Sequence, residues 1–332
     1  MKALQITDNP KERLKMVEMP MPSLSAGEVL VRLTAVALNH RDQWMREDKY
    51  PNIKPNTTLG SDGCGIVEKV NNEADAHWLK RTVIINPNIE WGENEISQSP
   101  HYQILGMPTN GTFAEYVVVK AHRLHVKPTH LTDEQAAALP LGGLTAYRAV
   151  FTFGGLQAGE NVLISGVGGG VAMLAFQFAL ATKANVYVTS GSQEKITKAV
   201  QSGAIAGANY KETNWSKELH EKIKGLNLVV DSGGGKGFSD FIRMMKQAGR
   251  IVFYGATQGL PTTLDLYRMF FYQLRIQGST MGNDQEFNQM IDFVSKHRIV
   301  PLIDSLRTFA DIVSAFDDMK AGKQFGKLVI SM

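Results

Sequence analysis

From residue 161 onward the apolar positions alternate between two periods. Short runs rich in β-branched residues at 161–166, 185–190, 208–210, 227–232, 250–255 and 275–280 predict strands. Most of the intervening segments carry apolar residues at helical spacing, and those at 192–204 and 237–249 hold a glycine near their end, as a helix stop does. This alternation predicts an α/β fold, a doubly wound parallel sheet with helices on both faces. Before it the texture differs. Up to about residue 122 come short β-rich runs such as EVLVRLTAVAL and FAEYVVV, broken by Pro and Gly signals in EMPMPSLSAGE and YPNIKPNTTLGSDG, which predict an irregular all-β domain.

Between the two, Thr132 followed by Asp133 and Glu134 marks a helix start. The tail at 301–332 holds one amphipathic helix and one strand. A single strand cannot stand alone, so it is expected to return to the first domain and leave a cleft between two lobes. The expected division is 1–122 completed by 282–332, and 123–281.

A length of 332 residues fits two domains better than one core. Apolar content of 43% and charged content of 20% are ordinary, and no repeat or low-complexity tract interrupts the chain. The formal charge of +3 is small and the basic residues are scattered, which argues against a nucleic-acid or membrane partner. The first residues carry charges every few positions with no signal-like apolar core, and no apolar run is long enough to span a bilayer. Cys64 is the only cysteine, so no internal disulfide can form, and a cytoplasmic location is expected. Between small residues, Cys64 reads as a small buried hydrophobe.

The run NVLISGVGGGVAMLAFQFAL, 161–180, passes from strand through a glycine turn into a helix. Gly166 ends the strand, Gly168, Gly169 and Gly170 let backbone approach phosphate oxygens, and Val171 and Ala172 open the helix whose N–H groups face a pyrophosphate. Alanine is admitted at the last place, where a small side chain packs against the strand. A dinucleotide site asks for an acidic residue at the end of the second strand to take the ribose 2′-hydroxyl. That strand ends VTSGSQEK, so Ser190 and Ser192 stand where a carboxylate would, with Lys195 available to a 2′-phosphate. NADPH is therefore favoured over NADH, although Glu194 offers an alternative ribose contact.

The segments AGEVLVRLTAVALNHRD, LGSDGCGIVEKV, GTFAEYVVV, AAALPLGGLTAYRAV, the glycine turn and AGKQFGKLVISM together resemble the medium-chain dehydrogenase/reductase superfamily, over essentially the whole chain. The turn is closer to its quinone oxidoreductase-like branch, with Val167 and Ala172 as departures. The resemblance implies a GroES-like irregular β-barrel domain beside the Rossmann domain. Where the zinc members carry metal ligands, this chain has Asn39, Ser61 and Leu141, and the segment NPNIEWGENEISQSPHYQILG lacks the four cysteines of a structural zinc lobe, so no metal is expected. A new metal site at His40 and Asp62 has no recognisable spacing behind it.

The same resemblance implies roles for particular residues. Asn39 matches a nicotinamide-ribose contact, Tyr50 a tyrosine of the active-site mouth able to donate to an enolate oxygen, and Trp44 a pocket wall. Thr145 corresponds to a nicotinamide-side contact, and Lys195 and Tyr210 to 2′-phosphate contacts. Gly255, Ala256, Thr257, Thr280 and Met281 close the nicotinamide half, and Lys327 reaches back from the tail. Packing alone also explains Tyr50 and Trp44, and Asp42 fits a helix start better than an acid–base role. The expected activity is zinc-independent reduction of quinones or α,β-unsaturated carbonyls by NADPH. A zinc-free alcohol or aldehyde oxidoreductase, or an NADPH-binding protein without turnover, are the alternatives. A homodimer, or a tetramer, paired through the edge strand at 275–280 is expected.

Overall fold

The computed structural model describes all 332 residues, Met1–Met332. In chain order the strands are β1 (Lys2–Ile6), β2 (Leu14–Glu18), β3 (Glu28–Ala37), β4 (Asp62–Val70), β5 (Thr82–Ile85), β6 (Asn88–Ile89), β7 (Gln103–Ile104), β8 (Tyr116–Lys120), β9 (Leu124–Val126), β10 (Asn161–Ile164), β11 (Asn185–Ser190), β12 (Ala206–Asn209), β13 (Leu226–Asp231), β14 (Met245–Phe253), β15 (Arg275–Gly278), β16 (Ile303–Thr308) and β17 (Lys327–Ser331). The α-helices are α1 (His40–Arg46), α2 (Asp133–Ala137), α3 (Pro140–Tyr147), α4 (Gly170–Ala181), α5 (Gln193–Gln201), α6 (Trp215–Lys222), α7 (Phe238–Met244), α8 (Leu266–Phe271), α9 (Asp284–His297) and α10 (Ile312–Lys320). No helix is long and apolar enough to cross a membrane.

The chain divides into two compact units, Met1–Gly142 with Gly282–Met332, and Gly143–Met281. The first division falls at 142/143 rather than at 122/123. The reason lies in pairing: β9 hydrogen-bonds β5, and α2 packs on β3 and β4, so the residues after 122 belong to the β-rich unit.

In that unit the strands run in the order β16-β17-β3-β4-β5-β9, with β8 added on β3. The tail strand returns as expected: β17 pairs antiparallel with β3, Ile330 opposite Val36. Alternation along β3 buries Val29, Val31, Leu33 and Val36 in one core with Phe113 and, from α10, Phe316. Cys64 is wholly buried, and desolvation pushes its thiol up to about 12.

The second unit is a six-stranded sheet in the order β12-β11-β10-β13-β14-β15, with every pair parallel. Its central strand β10 is buried throughout, as a strand covered by helices on both faces must be. Two expectations change at the edges. The helix expected over 237–249 stops at Met244, because Met245 already pairs with Leu226 and Ala248 takes a left-handed φ of 55°. The last strand closes at Gly278, short of 280. It forms one edge of the sheet, and beside it in sequence α8 exposes Leu266, Tyr267, Phe270 and Phe271.

Three backbone glycines stack under the β3–β4 end of the first unit. A Cβ on Gly111 would lie 1.9 Å from the Gly60 carbonyl oxygen, and one on Gly106 would lie 2.5 Å from the same atom. Their contact fixes the segment that leads into Ser61 and Asp62. The expected outcome for Gly111→Ala is a loss of about 1–3 kcal/mol of stability from overpacking, read by denaturant unfolding.

Candidate active site and dinucleotide turn

In the first unit β3 runs through Leu38 into α1, and Asn39 is the residue that caps the helix, with extended dihedrals. Asp42, third in the helix, turns back so that its Oδ2 accepts the Asn39 backbone N–H at 2.8 Å. Asp42 is thus a capping residue, as its place near a helix start implies. Its side chain is fully buried and its Oδ1 has no partner, so desolvation raises the carboxyl to about 6, against the pull of Arg41.

The Asn39 amide belongs to a buried polar cluster. Its Nδ2 donates to Asp62 Oδ2 at 2.9 Å, and its Oδ1 accepts from Lys327 Nζ at 2.8 Å. Lys327 also donates to Asp62 Oδ2 at 2.8 Å, while Asp62 Oδ1 accepts the Leu141 backbone N–H at 2.7 Å. Lys327 is 4% exposed and Asp62 0%, so this ion pair is shielded from water. Lys327, expected to reach back from the tail, has its ammonium held inside the first unit by two partners. Asp62 is likewise engaged with Lys327 and not with His40, whose ring meets Trp44 edge-on at 5.0 Å. No group of three or more His, Cys, Asp or Glu side chains is arranged to hold a metal ion.

Ser61 belongs to a second cluster. Its Oγ donates to the Leu105 carbonyl at 2.7 Å and accepts from Arg41 Nη1 at 2.7 Å. The same Arg41 donates from Nε and Nη2 to Tyr50 Oη at 3.3 and 3.2 Å, with its Cζ 4.9 Å from the ring centroid. Tyr50 is therefore more than packing beside Pro51. Trp44 is half-buried.

In the second unit, β10 ends into a turn in which Gly166 and Gly168 have φ of 65° and 123°, values that favour glycine. Thr189 of β11 braces it, its carbonyl accepting the Val167 N–H at 2.8 Å. Gly169 caps α4 with an ordinary φ of −72°, and a Cβ there would meet nothing closer than 3.9 Å. The fold itself makes no demand for glycine at 169, so the space above it is what the turn keeps open. Gly170 and Val171 begin α4 half-buried, and Ala172 packs at 1% exposure.

At the end of β11, Ser190 is buried, and Ser192 caps α5, accepting the Lys195 N–H at 3.4 Å. Glu194 pairs with Lys198 at 2.7 Å, one turn along the helix. A Cβ on Gly191 would touch Tyr210 Oη at 2.8 Å and Lys211 Cε at 2.9 Å, so both side chains lie over the strand end. Lys211 went unnoticed in the sequence, where its only signal is to follow Tyr210. At the other strand ends, the backbone N–H and Oγ of Thr257 both donate to Ser232 O, and a Cβ on Gly255 would crowd that same oxygen at 2.9 Å. Thr145 Oγ1 donates to Met281 Sδ at 3.7 Å, whereas Ala256 and Thr280 are exposed.

A parallel sheet in this order, with that turn after its first strand, defines a dinucleotide-binding fold. Comparison with known proteins narrows the class. The model of the alcohol dehydrogenase GroES-like domain matches residues 25–129, and that of zinc-binding dehydrogenase matches 170–296. A zinc-type alcohol dehydrogenase-like protein, YogA, of Leptosphaeria maculans is 35% identical over 96% of this chain and 94% of its own. A solved NAD-dependent alcohol dehydrogenase superposes with a TM-score of 0.92 at 34% identity, covering 100% of both chains. A crotonyl-CoA reductase of Streptomyces collinus is 27% identical over 96% of this chain and 82% of its own. The chain belongs to the medium-chain dehydrogenase/reductase superfamily, and its activity is that of an NAD(P)-dependent oxidoreductase.

The buried carboxyl of Asp42 supplies a pH prediction. Its folded value of about 6 lies above the ordinary 3.8, so the native state binds the proton more tightly and Asp42 lowers stability as pH rises through that window. Asp42→Asn keeps an oxygen for the Asn39 N–H. The variant is expected to gain on the wild type between about pH 4 and pH 6, by about 3 kcal/mol at the upper end, in denaturant titrations run across pH.

Proposed function

We propose that this chain is a zinc-independent, NADPH-dependent reductase of quinones or α,β-unsaturated carbonyls. One observation carries the reading: the places of the family's zinc ligands hold Asn39, Ser61 and Leu141, and Lys327 Nζ already stands 2.8 Å from Asn39 Oδ1 and from Asp62 Oδ2. An amide bonded to an ammonium, a hydroxyl bonded to a guanidinium and an alkyl side chain do not fit Zn²⁺, which takes thiolate, imidazole or carboxylate in a tetrahedral set. Alcohol oxidation then lacks the Lewis acid that makes an alkoxide accessible at neutral pH. An electron-poor quinone or enone needs less help, since the charge arriving on its oxygen can be met by one hydrogen-bond donor.

NADPH, when bound, supplies the hydride. Gly166, Gly168, Gly169, Gly170 and Val171 receive its pyrophosphate. Ser190, Ser192, Lys195 and Tyr210, joined by Lys211, take the 2′-phosphate, a choice supported by the carboxylate-free end of β11 and by the engagement of Glu194 with Lys198. Thr145, Gly255, Ala256, Thr257, Thr280 and Met281 flank the nicotinamide, and Asn39 is the residue matched to its ribose contact. Tyr50 is the donor to the substrate oxygen and Trp44 walls the pocket. The crotonyl-CoA reductase relative supports the enone class, since its named substrate is an α,β-unsaturated thioester.

A second reading, a zinc-free alcohol or aldehyde oxidoreductase, is favoured by the alcohol dehydrogenases among the relatives. NADPH binding without turnover of any acceptor would instead mark a sensor or structural protein. The apolar face of α8 beside the edge strand β15 supports a homodimer, and the single buried cysteine supports a cytoplasmic home.

The decisive experiment follows cofactor absorbance against a panel of quinones, enones and aldehydes in the presence of a chelator, with NADPH and NADH in parallel. NADPH should be used faster, with quinones or enones, and chelation should leave the rate unchanged. Faster use of NADH would overturn the cofactor assignment, and strict dependence on added Zn²⁺ the mechanism. For the assembly, light scattering should give a dimer mass for the wild type and a monomer mass for Phe271→Asp.

A further inference from the structure

Arg41 is 7% exposed, and its guanidinium forms no salt bridge with any carboxylate of the chain. Its hydrogen bonds run only to neutral oxygens: Ser61 Oγ, the Leu105 carbonyl and Tyr50 Oη. A buried cation whose hydrogen bonds reach no carboxylate is only partly compensated: the neighbouring Asp42 carboxyl feels its charge but does not bond it, so much of its desolvation is not offset. Such a group is best accounted for when an anion arises beside it during function.

Of its three acceptors only one can become that anion. A carbonyl holds no proton, and Ser61 already donates its own to Leu105 O at 2.7 Å. Tyr50 Oη accepts twice from Arg41 and donates to no group of the chain, so its proton is left for a ligand. The fork of Arg41 reaches both oxygens at once, Nη1 to Ser61 and Nε with Nη2 to Tyr50, which a lysine ammonium could not reproduce.

We propose that Arg41 is the positioning residue for proton donation: it orients Tyr50 Oη with its proton toward the substrate and neutralises the phenolate left when that proton departs. The inference rests on the reading of Tyr50 as the donor. In the step, the acceptor would gain hydride at carbon as a C–H bond of the bound reduced nicotinamide breaks, and its π pair would move to the substrate oxygen. The Tyr50 O–H bond breaks as the substrate O–H bond forms. Water then returns a proton to the phenolate held against Arg41. The nicotinamide is oxidised by two electrons and the acceptor reduced by two.

The test compares Arg41→Gln, a neutral side chain that still donates, Arg41→Lys, which keeps the charge, and Tyr50→Phe. NADPH binding by fluorescence and thermal melting serve as controls for the fold and the cofactor site. Tyr50→Phe should lower kcat by about 10²-fold, in the range of a lost general acid. Arg41→Gln should lower kcat by at least about 10-fold with KM nearly unchanged, Arg41→Lys should recover part of that loss, and Arg41→Gln should have little further effect in the Tyr50→Phe background. Wild-type kcat in Tyr50→Phe would remove the donor itself and with it that part of the proposed function. A large loss in Tyr50→Phe, but with Arg41→Gln at least as active as Arg41→Lys, or with losses that multiply in the double variant, would overturn the role of Arg41 alone. Should Arg41→Gln fail to fold, Arg41→Lys in the two Tyr50 backgrounds decides: independent losses reject the coupling, and a loss that vanishes without the phenol supports it.

Discussion

The carboxylate of Asp62 is the point on which the first unit turns. It is completely buried, and all its charge is answered by three donors from distant parts of the sequence: Asn39 Nδ2, Lys327 Nζ and the Leu141 N–H. Removing any one would leave charge in a low-dielectric interior, where several kcal/mol are at stake. The geometry of the β3–α1 junction, the seating of β17 and the start of α3 are therefore held by one group. Asn39 has both ends of its amide committed to the same cluster, so its orientation is set by electrostatics as much as by packing.

A second network lies beside the first in sequence but shares none of its hydrogen bonds. Arg41 and Ser61 neighbour Asn39 and Asp62 along the chain, yet they point to Leu105 and Tyr50. Asn39 and Ser61 are thus each bonded to a buried cationic side chain, Asn39 to Lys327 and Ser61 to Arg41. Positive charge enters the site as part of the polypeptide.

Much of this was legible in the sequence and some was not, for physical reasons. Period and punctuation located all six strands of the parallel sheet, because buried parallel strands are continuous apolar runs flanked by glycine turns. The return of the tail strand followed from the fact that one strand cannot satisfy its own backbone. The boundary at 142/143 escaped, because β9 is three residues long and α2 five, too short for a periodic signal. So did the early end of α7, where pairing of Met245 with Leu226 overrides local helical preference. At the site, Asn39, Ser61 and Tyr50 stood out by position, but the buried state of Arg41 and the capture of Lys327 by Asp62 did not. Both depend on contacts between residues far apart in the chain, such as the 265 positions separating Asp62 from Lys327. Lys211 was hidden in the same way, since it lies over the end of β11 only through the turn that follows β12.

That separation bears on how the molecule comes into being. During synthesis Asp62 leaves the ribosome long before Lys327 exists, and β3 waits for β17 over the same interval. The Rossmann unit, by contrast, is contiguous from Gly143 to Met281 and has every strand partner within that span. Domains that fold as units do so once their own residues are available. The order of maturation on the ribosome is then the reverse of the order of writing: the second unit is complete first, and the first unit is sealed only once Lys327 has emerged.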